Sequence, residues 1–407
     1  MHPSGWDAVA AGAVAAVVAA ALTPLSSRFA LRVGAVDEPG GRGLADRPTP
    51  RLGGLAILAG ILVAALIWLP VDDPRYGAIM AGALLIALVG AIDDVVDLAP
   101  PVKFLGQCAA ALIPVLEGVK VTNFTLPFVH RVDLGGTVGV ILTVLGIVLV
   151  TNVVNFSDGI DGLAAGVCAI AAASFSIIAF DLQKGHAAVL SAIVAGAALG
   201  FLVHNFPRPG LPAAAFMGDC GSNLLGYLLG VVAVEGAVKT QAILALLFPL
   251  VVLAVPFLDT TFVVLKRVKY RRRIAGADMN HFHHRFTRIG FSHRRTVLYL
   301  YVWTLMLGGS AVALRFVPYS DNGGRLHPGW AIVMGAILLA VAAASVYLVY
   351  VLEILKFRRL NATRLRRLRP DAPDAEIDED SRQRMETGEF EQVRRETEEF
   401  QALRRRA

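Results

Sequence analysis

Apolar residues in this chain arrive in long, nearly uninterrupted blocks. They fall near residues 8–24, 52–70, 77–92, 104–116, 136–154, 162–180, 187–204, 222–236, 241–265, 296–317 and 329–352. About twenty apolar residues in a helix match the hydrocarbon thickness of a bilayer. Inside a bilayer only helices and closed barrels satisfy the backbone. The blocks therefore predict an all-α polytopic membrane protein with about 11 transmembrane helices, of which 104–116 is short enough to be re-entrant. Only 17% of residues are charged, against roughly 25% in soluble domains. One integral membrane domain over residues 1–357 fits better than several soluble ones.

The first block does not read as a signal peptide, because residues 1–7 carry only His2 and Asp7 and no basic segment. It reads as a retained first span. Cys108, Cys168 and Cys220 are scattered through or beside apolar blocks, as small core residues rather than a disulfide framework or metal cluster.

Lysine and arginine set the expected sidedness. With the N-terminus outside, connections 25–51, 93–103, 155–161, 205–221 and 266–295 and the C-terminal tail are cytoplasmic, and together they hold about 31 of the 38 Lys and Arg residues. The net charge of +6 is thus a matter of topology and not of nucleic-acid binding. Glu117 to Gly135 forms the one long outer loop, where Val121–Leu126 and Phe128–Leu134 predict a small external β-hairpin. Residues 358–407 form a charged cytoplasmic tail, partly disordered or helical. Its basic start, Arg364 to Arg369, suits anionic headgroups or simply enforces topology.

Five polar islands interrupt the apolar background, and this topology puts all of them on the cytoplasmic side. Carboxylates beside a membrane span are costly and point to function. Asp93, Asp94 and Asp97 follow the apolar run Leu84–Ile92. Such clustered carboxylates hold a divalent cation, serve as a general base, or cap a helix in solvent. Asn152, Asn155, Asp158 and Asp161 recur every three residues as one polar stripe, and Gly159 and Gly162 allow close approach. The stripe lacks the closing Glu of a calcium loop.

In Phe216-Met217-Gly218-Asp219-Cys220-Gly221-Ser222, Ser222 is placed to N-cap the next helix. The helix N-terminus offers N–H groups to phosphate, and Phe216 is available to stack on a base or to sit at the interface. His281, His283 and His284 stand with Arg285 in the most basic loop. That set suits an anion better than zinc, since no local Cys completes a zinc site and only Asp278 is near. Lys103 precedes Gln107 by one turn and can pair with the acidic cluster or hold a phosphate. Arg51, in Pro48-Thr49-Pro50-Arg51-Leu52-Gly53-Gly54, is a phosphate contact or a topology anchor.

The order of these islands resembles the polyprenyl-phosphate N-acetylhexosamine-1-phosphate transferases, which include the phospho-N-acetylmuramoyl-pentapeptide translocases. The matching elements are Pro50-Arg51-Leu52-Gly53-Gly54, Asp93-Asp94-x-x-Asp97, Lys103-x-x-x-Gln107, Asn152-x-x-Asn155-x-x-Asp158-Gly159-x-Asp161-Gly162-Leu163-Ala164, Phe216-Met217-Gly218-Asp219-x-Gly221-Ser222 and the His loop. They lie within residues 8–352. The spacing His281-x-His283-His284 looks like the enzymes that use UDP-N-acetylglucosamine, whereas the muramoyl-pentapeptide enzymes usually show three consecutive histidines. Eleven spans instead of ten point the same way. In one departure, Ala45 stands, with Asp46 beside it, where relatives usually carry a histidine.

The resemblance implies transfer of N-acetylglucosamine-1-phosphate from UDP-N-acetylglucosamine to a polyprenyl phosphate in a bacterial plasma membrane. Transfer of phospho-N-acetylmuramoyl-pentapeptide is the alternative. It further implies Mg²⁺, with Mn²⁺ able to substitute, on Asp219 with Asp93 and Asp94. Asp93 and Asp94 would position or deprotonate the lipid phosphate, and Lys103 would hold it. Asn155 and Asp158 would line the centre, and Asp161 and Phe216 would meet the uracil. His281, His283 and His284 would grip the donor's phosphate or sugar side, and Arg285 and Arg51 would contact substrate. Direct attack and a covalent aspartyl intermediate both fit, and a homodimer is compatible. Three rivals fit the residues less well. An intramembrane prenyltransferase needs two Asp-rich motifs, a cation-coupled transporter needs carboxylates near span midpoints, and a CDP-alcohol phosphotransferase needs an Asp-Gly-x-x-Ala-Arg signature absent here.

Overall fold

The computed structural model describes residues 3–37, 48–70, 72–126, 130–207, 213–237, 293–317, parts of 327–347, and residues 373 and 376. The expected span 241–265, the His281–Arg285 loop and nearly all of the tail lie outside the described residues.

Helix α1 (Gly5–Val33) starts at a capping box. Asp7 N–H donates to Ser4 Oγ (3.3 Å), and Ser4 N–H donates back to Asp7 Oδ2 (2.7 Å). It ends at Gly34, a left-handed C-cap with φ of +79°. It therefore runs well past the apolar block that announced it and carries Arg28 and Arg32 within its last turns. A two-stranded antiparallel ribbon follows, β1 (Val36–Asp37) with β2 (Thr49–Pro50), in the register Val36 to Pro50 and Asp37 to Thr49. Nothing in the apolar pattern foretold it.

α2 (Gly53–Trp68) and α3 (Pro74–Val96) come next. α3 begins on Asp73, which accepts the Arg75 N–H at 3.0 Å, with Pro74 in the first helical position. α4 (Pro100–Leu116) also begins on prolines. The expected hairpin is present as β3 (Asn123–Leu126) paired antiparallel with β4 (His130–Asp133). The remaining helices are α5 (Gly136–Ser157), α6 (Leu163–Asp181), α7 (Gly185–Asn205), α8 (Gly218–Ala237) and α9 (His293–Phe316).

Seven stretches among the described residues are long and apolar enough to cross a bilayer: α1, α3, α5, α6, α7, Arg294–Ala313 within α9, and Pro328–Ser345. The chain is a multi-pass membrane protein. α2 and α4 are shorter apolar helices. At 16 residues, α2 is about 24 Å long, less than a typical hydrocarbon core.

α8 is the central element, packed against α2, α3, α5, α6 and α7. Cys220, Leu224, Leu225, Tyr227, Leu228 and Leu229 are fully buried in it. A helix screened from lipid by its neighbours does not have to be apolar along its length. α8 can therefore carry Asp219, Ser222, Asn223 and Glu235.

α1 and α7 meet backbone to backbone. A Cβ on Gly200 would run into the Ala16 carbonyl, and one on Gly196 into that of Gly12. Small residues let membrane helices approach this closely. The seam also repairs a defect. Pro24 lies inside α1 and has no N–H to give the carbonyl of Ala20. His204 Nε2, from α7, lies 2.9 Å from that carbonyl, and as the Nε2–H tautomer it donates the missing bond. His204→Ala should therefore lower thermal stability in detergent by about 1–3 kcal/mol. In a Pro24→Ala background, where the substituted residue supplies its own N–H, the loss should shrink. Equal losses in both backgrounds would rule out the repair.

Candidate active site

The site is built on the first turn of α8. Gly218 has φ of +71°, a left-handed conformation that glycine adopts without strain. A Cβ there would also strike the Arg51 carbonyl and Asp94 Oδ2. With the chain turned this way, the next two N–H groups point at one carboxylate. Asp219 N–H donates to Asp94 Oδ1 (2.9 Å) and Cys220 N–H to Asp94 Oδ2 (3.0 Å). These N–H groups have no partner inside the helix and carry the positive end of its dipole. Asp94, from the last turn of α3, satisfies both.

The residues before Gly218 pair with those that open α2. Phe216 N–H donates to the Pro50 carbonyl (2.8 Å), Gly53 N–H to that of Phe216 (3.0 Å) and Gly54 N–H to that of Met217 (3.0 Å). A Cβ on Gly54 would collide with the backbone of Gly221. Two islands about 165 residues apart in sequence are thus one backbone junction.

Around it stand the ionic side chains. Asp93 is buried, and its Oδ1 accepts the Leu98 N–H (2.7 Å) while its Oδ2 is ion-paired with Lys103 Nζ. The same Nζ lies 3.5 Å from Asp219 Oδ2. Asn155 Nδ2 donates to Asp219 Oδ1 (3.0 Å) and to Ser222 Oγ (2.9 Å). Ser222, expected as an N-cap, instead donates to the Gly218 carbonyl (2.9 Å). Behind this layer, Asn152 Nδ2 donates to Gln107 Oε1 (2.7 Å) and Gln107 Nε2 to Asn223 Oδ1 (3.3 Å). These amides tie α4, α5 and α8 together.

Asp158 is the C-cap of α5. Burial, and then the charges of Asp219, Asp94 and Asp161, push its carboxyl up to about 8. It therefore holds a proton at neutral pH unless a cation compensates. Asp161 Oδ2 accepts the Ala213 N–H (3.3 Å), which fastens the α5–α6 connection to the irregular segment leading into Phe216. Asn205 braces the same region. Its Oδ1 accepts the Gly162 N–H (2.7 Å), and its Nδ2 donates to the Ala215 carbonyl (2.9 Å). The Tyr301 hydroxyl donates to the Gly162 carbonyl.

Of the residues singled out in the sequence, Asp93, Asp94, Lys103, Asn155 and Asp219 are drawn into one cluster, and Asp158 and Asp161 flank it. Phe216 is half-buried and joined to the cluster through its backbone. Arg51 pairs with Asp37 (2.5 Å), and its carbonyl abuts Gly218. His281, His283, His284 and Arg285 lie outside the described residues. Asp37, Asn205, Asn223 and Tyr301 escaped the sequence reading. Asn223 had a usable signal, as an amide set in an apolar block.

Among the described residues no three His, Cys, Asp or Glu side chains gather into a complete metal site. Magnesium needs no such cage, since one or two carboxylates with water and substrate phosphate suffice. The two oxygens facing Lys103, Asp93 Oδ2 and Asp219 Oδ2, already share one positive charge. They fit a cation chemically. Asp94 does so less directly, because both its oxygens are taken by amides.

Residues 76–237, which span α3 to α8 and hold this cluster, match the family described as Glycosyl transferase family 4. A Bacillus subtilis protein named probable undecaprenyl-phosphate N-acetylglucosaminyl 1-phosphate transferase is 38% identical over 295 residues, which are 72% of this chain and 81% of the relative. A Mycobacterium leprae decaprenyl-phosphate N-acetylglucosaminephosphotransferase is 34% identical over 366 residues, covering 83% and 89%. The chain belongs to glycosyl transferase family 4. It is a membrane-embedded transferase. A family relative from Desulforudis audaxviator, a phospho-N-acetylmuramoyl-pentapeptide-transferase, is 33% identical over 295 residues and covers less of this chain, 65%.

Within this family 4 chain, the capping geometry makes Asp94 responsible for the start of α8. Asp94→Ala should strip the acceptor from two part-buried N–H groups and cost about 1–3 kcal/mol per group left unsatisfied. Asp94→Asn keeps one acceptor oxygen and should lose less. Thermal melting of the two variants in detergent checks the order, and equal melting of both variants and the parent would remove the cap.

Proposed function

We propose that the protein transfers N-acetylglucosamine-1-phosphate from UDP-N-acetylglucosamine to a polyprenyl phosphate at the cytoplasmic face of a bacterial plasma membrane. The products are polyprenyl-diphospho-N-acetylglucosamine and UMP, and the reaction initiates a cell-envelope polysaccharide. The observation that carries this is the gathering of Asp93, Lys103, Asn155 and Asp219 at one end of the helical bundle, where a soluble donor and a membrane-held acceptor can meet. The names of the B. subtilis and M. leprae relatives support the sugar and the lipid. The basic connections support a cytoplasmic site with the N-terminus outside.

In the transfer, an oxygen of the lipid phosphate forms a bond to the phosphorus that bears the sugar. The bridging P–O bond of the diphosphate breaks, and UMP leaves with the electron pair. A phosphate monoester is already mostly ionised at neutral pH, so positioning matters more than a base. Lys103 is the residue to hold the acceptor phosphate. Asn155 fixes the orientation of Asp219 through the bond to Oδ1, and Asp161 and Phe216 border the place for the uridine. The His281–His284 loop with Arg285, and Arg51, are assigned to the donor's phosphates and sugar. Asp219 and Asp93 would hold Mg²⁺, or Mn²⁺ in its place, with Asp94 behind them. When bound, the ion supplies charge neutralisation for the diphosphate and the leaving UMP.

Direct attack is favoured over a covalent aspartyl intermediate. The oxygens of Asp94 are engaged by backbone amides, and those of Asp93 by an amide and Lys103. Neither carboxylate is presented as a nucleophile. Protein quenched in acid after exposure to UDP-N-acetylglucosamine labelled in its β-phosphate should carry no label, and label on either Asp would reinstate the intermediate.

The principal test is a donor screen with purified protein, polyprenyl phosphate and Mg²⁺, read as UMP release. Release with UDP-N-acetylglucosamine is expected. Release only with UDP-N-acetylmuramoyl-pentapeptide would overturn the donor assignment. Asp219→Asn should lower kcat by on the order of a hundredfold or more while the protein stays folded. Retained turnover would remove Asp219 from the metal role.

A further inference from the structure

Asp93 and Asp219 each place one oxygen on an amide donor, and the two carboxylates also lie within hydrogen-bond reach of each other. Asp93 Oδ1 takes the Leu98 N–H, and Asp219 Oδ1 takes the Asn155 amide. The two remaining oxygens face the same ammonium, since Lys103 Nζ is paired with Asp93 Oδ2 and lies 3.5 Å from Asp219 Oδ2. The Asp93 side chain is only 4% exposed, while Lys103 and Asp219 are 30% and 32% exposed. Asp93 is thus a buried charge whose neutralising partner comes from a side chain that reaches solvent. The charged form of such a carboxylate is stabilised by a cation beside it.

We infer that Lys103 is a tethered counter-ion that occupies the divalent cation's position between Asp93 and Asp219 and is displaced when the cation binds. The inference builds on the assignment of Mg²⁺ to these two carboxylates. A magnesium ion sits about 2.1 Å from its ligand oxygens. An ion reaching Asp93 Oδ2 or Asp219 Oδ2 would therefore crowd an ammonium already bound to them, and the two positive charges repel. Lys103 can withdraw, because its four-carbon stem is flexible and partly exposed. Its backbone cannot follow, since it lies in the first turn of a helix begun by Pro100 and Pro101. The ammonium therefore swings out but stays within reach of the site.

Displacement has two consequences. Without a divalent ion, Lys103 offsets one of the two carboxylate charges, and Asp93 is not left as a lone buried charge. With the ion in place, Lys103 becomes a released cation next to it and needs a new anion. The phosphate of the acceptor is the chemistry that meets that need. Ion binding and phosphate binding are then linked, and each strengthens the other by the same factor.

The test uses full-length protein in detergent and Mn²⁺ as the probe, with free Mn²⁺ counted by electron paramagnetic resonance. Lys103→Met should bind Mn²⁺ on the order of tenfold more tightly than the parent, because the competing charge is gone. Lys103→Arg keeps a competing charge and should stay close to the parent. A second measurement needs no variant. Lys103 in the parent should react faster with an amine-reactive label when Mg²⁺ is saturating, read by peptide mass spectrometry. Equal or weaker Mn²⁺ binding by a folded Lys103→Met, or labelling of Lys103 that Mg²⁺ does not change, would overturn the displacement and leave the metal assignment standing. Absence of Mn²⁺ binding in the parent, together with turnover that survives chelator, would overturn both.

Discussion

The contact between Asp94 and the first two N–H groups of α8 governs the rest of the site. It joins the end of α3 to the start of the central helix, and it involves a carboxylate facing the positive end of a helix dipole. Gly218 is what permits it, because any side chain there would occupy the space of the Asp94 carboxylate. Once the start of α8 is held, the Asp219 backbone is fixed. Its side chain is then oriented by the bond from Asn155 and approaches Lys103. The α2–α8 backbone junction fixes the same turn from the other side.

This arrangement divides labour among carboxylates that look alike in sequence. Asp94 serves the backbone, Asp93 and Asp219 face a cation, and half-buried Asp158, beside other carboxylates, keeps its proton up to about 8. A bundle of apolar helices makes the division strict. In low dielectric an unpartnered charge is expensive, so Asp93, Asp94 and Asp219 each have a fixed partner, and Asp158 holds a proton instead. The amides Gln107, Asn152 and Asn223 extend this principle one layer inward and keep α4, α5 and α8 in register.

Much of the fold was legible from the chain. Apolar blocks gave the helices α1 to α9 to within several residues, and alternating β-branched and polar residues gave the β3–β4 hairpin. The exceptions have local causes. α1 continues past its apolar block because capping at Gly34, and not polarity, ends it. The β1–β2 ribbon has two residues in each strand, too few for any periodicity to register. In the site, Asp93, Asp94, Lys103, Asn155 and Asp219 were all visible as polar residues in costly surroundings. Asn205 and Tyr301 were not, because their partners are backbone groups of a loop distant in sequence.

The sequence by itself determined that the chain crosses a membrane many times and that polar islands interrupt its apolar blocks. Both are properties of composition along short stretches, where block length and the cost of charge in lipid are enough. It could not assign the oxygens. Which carboxylate caps a helix, and which faces a cation, depends on a residue 125 positions away in the chain for Asp94 and Asp219. Only the packing of α3 against α8 brings them within hydrogen-bond range. That packing decided that the first Asp of the pair is left to Lys103 and the second is committed to the backbone.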